Sequence, residues 1–172
     1  MIKNLFGLIF FTLIANLNAE SLSFPSFLIE IPDSWEQSIE NGPNENGGSV
    51  ISLRDRNGVG ILKMRSYDAL GAVSEDRLRN LTNLEPSIPL IWEHWGDYAG
   101  YQHSYTENGV FYRQWWLANE RTILFITYQC DPGSRDIETE EIDNIVRSIM
   151  TTPPLKRSES VDIRDYSRIR GE

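Results

Sequence analysis

Residue types that do chemistry are scarce in this chain. It has one cysteine, Cys130, and two histidines, His94 and His103, in 172 residues. A lone cysteine excludes an internal disulfide, so the core must hold the fold unaided. Cys130 is expected to be a small buried apolar residue at a strand end. Its neighbour Asp131 would raise the thiol pKa rather than activate it. No G-x-S-x-G elbow, C-x-x-C pair or H-E-x-x-H spacing occurs. Neither nucleophilic hydrolysis nor a metal centre therefore has a motif behind it. Glu93 and His94 are adjacent, which on a strand sends them to opposite faces. The expectation is a protein without catalysis, cofactor or metal.

Long apolar runs are also missing. The longest, Leu5 to Ile14, has about half of the roughly twenty residues a hydrocarbon core needs. Lys3 precedes it and a polar end closing on Asn18-Ala19 follows. That is the pattern of a secretory signal peptide over residues 1–19, with cleavage expected after Ala19. The mature protein would be periplasmic or secreted, with no stable membrane anchor. Positive charge is short as well: 16 basic against 25 acidic residues, net −9. Removal of Lys3 takes the mature chain one unit further negative. Such a surface repels nucleic acid and anionic headgroups and favours a cationic protein partner, or no partner at all.

What is present reads as one domain over residues 20–150, followed by a polar tail over 151–172. Phe27, Ile29 and Ile31 alternate in a strand that Pro32-Asp33 ends, with Trp35 as a core lid. "ENGPNENGGS", residues 40–49, is turn chemistry. Two strands then flank Asn57-Gly58, a hairpin signal that tolerates positive φ. "VSEDRLRNLTNLEP" predicts a helix capped by Ser74, with Leu78, Leu81 and Leu84 as its stripe and Pro86 as its stop. From Leu90 to Cys130 the pattern is β, with turns at "ENG" and at Ala118-Asn119-Glu120. Ile123, Phe125 and Thr127 alternate with Leu124, Ile126 and Tyr128. Both faces are apolar, as in a central strand covered on each side. Ile142, Ile145, Val146 and Ile149 then set the stripe of a final helix whose first turn holds Glu138, Glu140 and Glu141.

The aromatics are concentrated. Trp92, Trp95, Tyr98 and Tyr101 fall within ten residues, beside Gly96 and Gly100, and Trp115-Trp116 follow. Aromatics favour strands and fill small cores. Adjacent tryptophans must also face opposite sides of a strand, so one is expected to reach solvent. The expected binding surface is accordingly Trp92, Trp95, Tyr98, Tyr101 and Trp116, centred on the "WEHWGDY" turn.

The order of elements carries a resemblance. A strand ends in "IEIPDSW", a hairpin follows, and a helix opens on Ser-Glu-Asp. "YRQWWLANERTILFITYQC" then leads to a closing "IDNIVRSIM" helix. Over residues 27–150 this resembles the PsbP-like α/β/α sandwich superfamily, which includes exported bacterial, DcrB-like members. The resemblance implies an α+β fold, a mostly antiparallel sheet flanked by two main helices. It implies an accessory, assembly or binding role and transfers no catalytic constellation. The functional expectation is an exported protein-binding or accessory protein, in one version an inhibitor or immunity protein. The alternatives are a small-ligand carrier with an aromatic pocket at Trp92, Trp95 and Tyr101, or a hydrolase using His94 or His103.

Overall fold

A computed structural model of the chain describes residues 19–40 and 50–152. The predicted signal segment up to residue 18, the turn-rich loop 41–49 and the tail from 153 onward lie outside the described residues. The strands are β1 (Ala19–Ser23), β2 (Phe27–Pro32), β3 (Trp35–Glu40), β4 (Val50–Asp55), β5 (Gly60–Asp68), β6 (Glu93–Trp95), β7 (Tyr98–Glu107), β8 (Val110–Asn119), β9 (Thr122–Cys130) and β10 (Met150–Thr151). The helices are α1 (Glu75–Leu81) and α2 (Thr139–Arg147). The fold is α+β, with a seven-stranded antiparallel sheet in the order β3-β4-β5-β9-β8-β7-β6. β9 lies at its centre, as its two apolar faces require.

The sequence did not announce a second sheet. β2 leaves the main sheet and sits between β1 and β10 in a small antiparallel one. The Pro32-Asp33-Ser34 step carries the chain from one sheet to the other. Trp35, expected as a lid, starts β3 and is buried. The predicted signal cut falls at Ala19, the first residue of β1.

Three turns show where local chemistry prevails. At Asn57-Gly58 neither residue takes positive φ. The Asp55 carboxylate accepts from the Asn57 N–H at 2.7 Å and the Asp55 carbonyl from Gly58 N–H at 3.1 Å, so a side-chain-braced turn replaces the left-handed one. Asn108-Gly109 does take positive φ, at 50° and 77°, the twist a two-residue hairpin favours. The β8–β9 ladder runs on through Ala118 and Asn119, moving the expected turn to Glu120-Arg121, with Glu120 at φ 48°.

The two helices differ in reach. Ser74 caps α1, its Oγ accepting from Arg77 N–H at 3.3 Å. Asn83, at φ 54°, turns the chain away before Pro86 is reached. Of the expected leucine stripe, Leu78 is buried, Leu84 partly so, and Leu81 is 50% exposed. In α2, Ile142, Ile145 and Val146 are all buried, and burial stabilises each by about 1.5–3 kcal/mol. Glu138 departs from its expected place on the exposed first turn. It is 5% exposed, its carboxylate accepting from the Tyr128 hydroxyl at 2.7 Å and from Val59 N–H at 3.3 Å.

The main sheet thus separates two cores. On one face α2 and β2 pack against Leu53, Leu62, Met64, Trp95, Tyr98, Trp115, Leu117, Leu124, Ile126 and Tyr128. On the other, Leu78 of α1 packs against Tyr101, Trp116 and Ala118, with Val73, Leu84, Leu90, Trp92, Ile123 and Phe125 around them.

Candidate binding surfaces

The five aromatic residues singled out in the sequence do not meet. Trp95 and Tyr98 belong to the core under α2, Tyr101 and Trp116 to the core under α1. A whole sheet lies between the pairs. Exposure is 2% at Trp95, 0% at Tyr98, 4% at Tyr101 and 7% at Trp116. Trp92 alone is half-buried, its ring edge-on to Tyr101 at 5.2 Å. Trp115 and Trp116 do face opposite sides, but both sides are covered there. The expected exposed aromatic surface and the shared pocket at Trp92, Trp95 and Tyr101 are therefore absent from this arrangement. These rings fill space, which is where their large apolar area stabilises most.

The two tyrosine hydroxyls are satisfied within the fold, whereas Trp95 Nε1 is buried without a hydrogen-bond partner. The Tyr98 hydroxyl donates to the Ser26 carbonyl at 2.9 Å. Burial first, and the Asp97 charge second, push its pKa up to about 12. Tyr101 donates to Glu75 Oε1 at 3.1 Å, tying β7 to α1. Burial and that bond raise its pKa too. The "WEHWGDY" turn is a clasp. Asp97 N–H donates to the Ile149 carbonyl at 2.9 Å, and the Asp97 carboxylate accepts from Thr151 N–H at 2.8 Å and its hydroxyl at 3.1 Å. Gly96 has φ 62°, and a Cβ there would run into the Ile149 carbonyl. The turn holds the end of α2 and the start of β10 in place.

The reactive residue types are scattered. Cys130 is buried at the end of β9. Burial raises its thiol pKa, the nearby Tyr128 hydroxyl lowers it, and the Glu138, Asp131 and Asp136 charges raise it further. His94 is exposed on β6, and His103 is half-buried on β7, stacked on Tyr105 at 6.0 Å. Among the described residues no group of three or more His, Cys, Asp and Glu side chains converges. None of their helices is long and apolar enough to cross a membrane.

Several surface hollows occur among the described residues, one of them beside Tyr98, and two surfaces that the aromatic pattern did not indicate bear on binding. The first is a groove of about 410 Å³ between α2 and the small sheet, lined by Glu30, Ile31, Ile137, Glu140, Glu141 and Ile145 among others. Ile137 is 66% exposed at its rim. Ser148 ties its walls together, its Oγ accepting from Glu30 N–H at 2.9 Å. The residues lining it include three carboxylates and no cation. The second is the part of the main sheet that α1 does not reach. Register places Ser52, Lys63, Thr127, Gln114 and His103 in one row across it. Gln129, Tyr112 and Tyr105 form part of the next. Arg54, Lys63 and Arg65 project from this face. Among the described residues none of the three enters an ion pair, whereas Arg56, Arg113 and Arg135 do. The sequence carried a partial signal for the groove, the run Glu138 to Glu141, but the spacing could not tell that Glu138 turns inward.

No protein-family model and no curated protein sequence matches the chain. Solved structures do. A Bacteroides thetaiotaomicron protein superposes with a TM-score of 0.54 at 13% identity over 74% of this chain. The chain spans 46% of that protein's length. Two others are a cyanobacterial PsbP from Synechocystis and LpqN of Mycobacterium tuberculosis. PsbP aligns at TM-score 0.42 and 10% identity, over 84% of this chain and 99% of its own. LpqN, described as involved in cell envelope biogenesis, aligns at 0.40 and 14%, over 79% and 91%. The PsbP group is thus represented among the structural neighbours. At these identities the likeness concerns the fold alone.

Proposed function

We propose that the chain is an exported binding protein that works without catalysis, holding a cationic segment of a partner protein in its acidic groove. The observation that carries this reading is the groove between α2 and β2. Its rim bears Glu30, Glu140 and Glu141; its accessible apolar surface is Ile137, 66% exposed, with the half-buried Pro32, over a floor of Ile31 and Ile145 that is itself buried. Exposed ion pairs are worth at most about 1 kcal/mol each, so the carboxylates would steer and orient a partner that also covers the exposed Ile137 side chain. The chain's net charge of −9 favours the same sign of partner. The partner's identity decides between an inhibitor, which would suppress the partner's activity on binding, and an accessory factor, which would not.

A photo-crosslinking residue at position 137 tests the reading in the native envelope fraction. One dominant protein adduct is expected, lost when Glu140→Lys and Glu141→Lys are introduced together. No adduct, or adducts indifferent to the charge reversal, would overturn it.

A further inference from the structure

β7 is ten residues long, but its outer neighbour β6 pairs only with Tyr98, Ala99 and Gly100. From Tyr101 to Glu107 that edge has no strand beside it among the described residues. No turn or loop backbone hydrogen bond reaches it either. About 20 Å of ladder-forming N–H and C=O groups is left open. Open edges of this length are usually guarded by lysine, proline or a bulge. "YQHSYTE" has none of these, and its one charge is at the last position. The other main-sheet edge, β3, differs. Its "WEQSIE" carries Glu36 and Glu40 within six residues.

We infer that this edge pairs with the same edge of a second copy, antiparallel about Ser104, joining two seven-stranded sheets into one. The side chains favour a copy of the chain as occupant. On the face shared with Tyr101, His103 and Tyr105 already stack at 6.0 Å and Tyr105 and Tyr112 at 5.1 Å, both pairs at 19° between planes. A two-fold axis at Ser104 places His103 of each copy opposite Tyr105 of the other. The aromatic row then continues across the seam, where such cross-strand pairs stabilise. On that same face Tyr101 meets Glu107, and on the opposite face Gln102 meets Thr106. No like charges are opposed. The contact is isologous and closes on itself, so it yields a dimer rather than a fibre.

Ser104 is exposed and faces its own copy across the axis, which gives a test independent of folding. Sedimentation of the wild-type chain across a concentration series is expected to show a monomer–dimer equilibrium. Ser104→Lys alone and Ser104→Glu alone each oppose like charges and should weaken dimerisation by about two- to fivefold. An equimolar mixture of the two variants should recover it as a heterodimer. A wild type that stays monomeric at its solubility limit would overturn the inference. So would single variants that dimerise like wild type, or folded variants whose mixture does not associate.

Discussion

Trp115 and Trp116 are neighbours on β8, yet they belong to different interiors. Trp115 lies edge-on to Trp95 at 5.9 Å, in the core that α2 and the small sheet close. Trp116 lies against Phe125 at 5.8 Å, in the smaller core under α1. The difference follows from the lids. α2 buries three residues over nine, and α1 buries one over seven. One face of the sheet is sealed for stability. The other is sealed only at the end near α1, which leaves Lys63, Gln114, Tyr112 and Tyr105 on an uncovered remainder. A sequence reader sees two tryptophans and infers one surface. The sheet turns them into two separate structural tasks.

That asymmetry has measurable consequences. The largest is expected at Trp115. Trp115→Ala should lower unfolding free energy by about 4–5 kcal/mol, and Trp116→Ala by about 3, because the thinner layer can relax around the cavity. Urea denaturation of both variants decides this, and equal losses would erase the distinction between the faces. Next is alkaline pH. Tyr98 ionises near 12 in the folded protein and near 10 unfolded. Its folded pKa is raised, so its contribution is intact below pH 10 and is lost as pH climbs through 12. The loss should be of the order of 2 kcal/mol. Denaturation midpoints taken across that window should fall in wild type and fall less in Tyr98→Phe. On the thinner side, Ser74→Ala removes the cap of α1 and should cost about 1 kcal/mol. Amide exchange should show the loosening confined to α1 and the loop after it. The smallest effect belongs to Arg56→Ala. The Arg56–Glu36 pair is 61% and 65% exposed, so its loss should cost no more than about 0.5 kcal/mol. A larger melting shift would mean that the β3 edge contributes more than its exposure suggests.

Much of the fold was legible because period and punctuation agreed. β4 and β5 flank a turn, β7, β8 and β9 form a meander, and α2 follows its isoleucine and valine spacing. The strand pairing of β2 was not legible. Its alternation says which side is buried and says nothing about which sheet receives it, and Met150–Thr151 is too short to read as a strand. The site was read least well. Density of tryptophan and tyrosine measures how much apolar area must be covered, and here nearly all of it is covered. Trp95 and Tyr101 are six positions apart and on opposite faces, a parity set by the two-residue turn at Gly96-Asp97 that no composition reveals. The groove was hidden for a related reason. Glu30 and Glu140 are far apart in sequence, and only the packing of α2 on β2 brings them together.

The pairing of β5 with β9 also sets an order in time. β5 ends at Asp68, and the strand that completes its open side begins at Thr122. β2 waits still longer, since its second neighbour is Met150–Thr151. A chain emerging from its N-terminus first must therefore hold two hairpins, β1–β2 and β4–β5, each with one edge open until its second partner strand is made. Contacts this distant in sequence slow folding and lengthen the life of exposed edges. Such a chain gains from staying unfolded and collapsing once, after the last helix has been made.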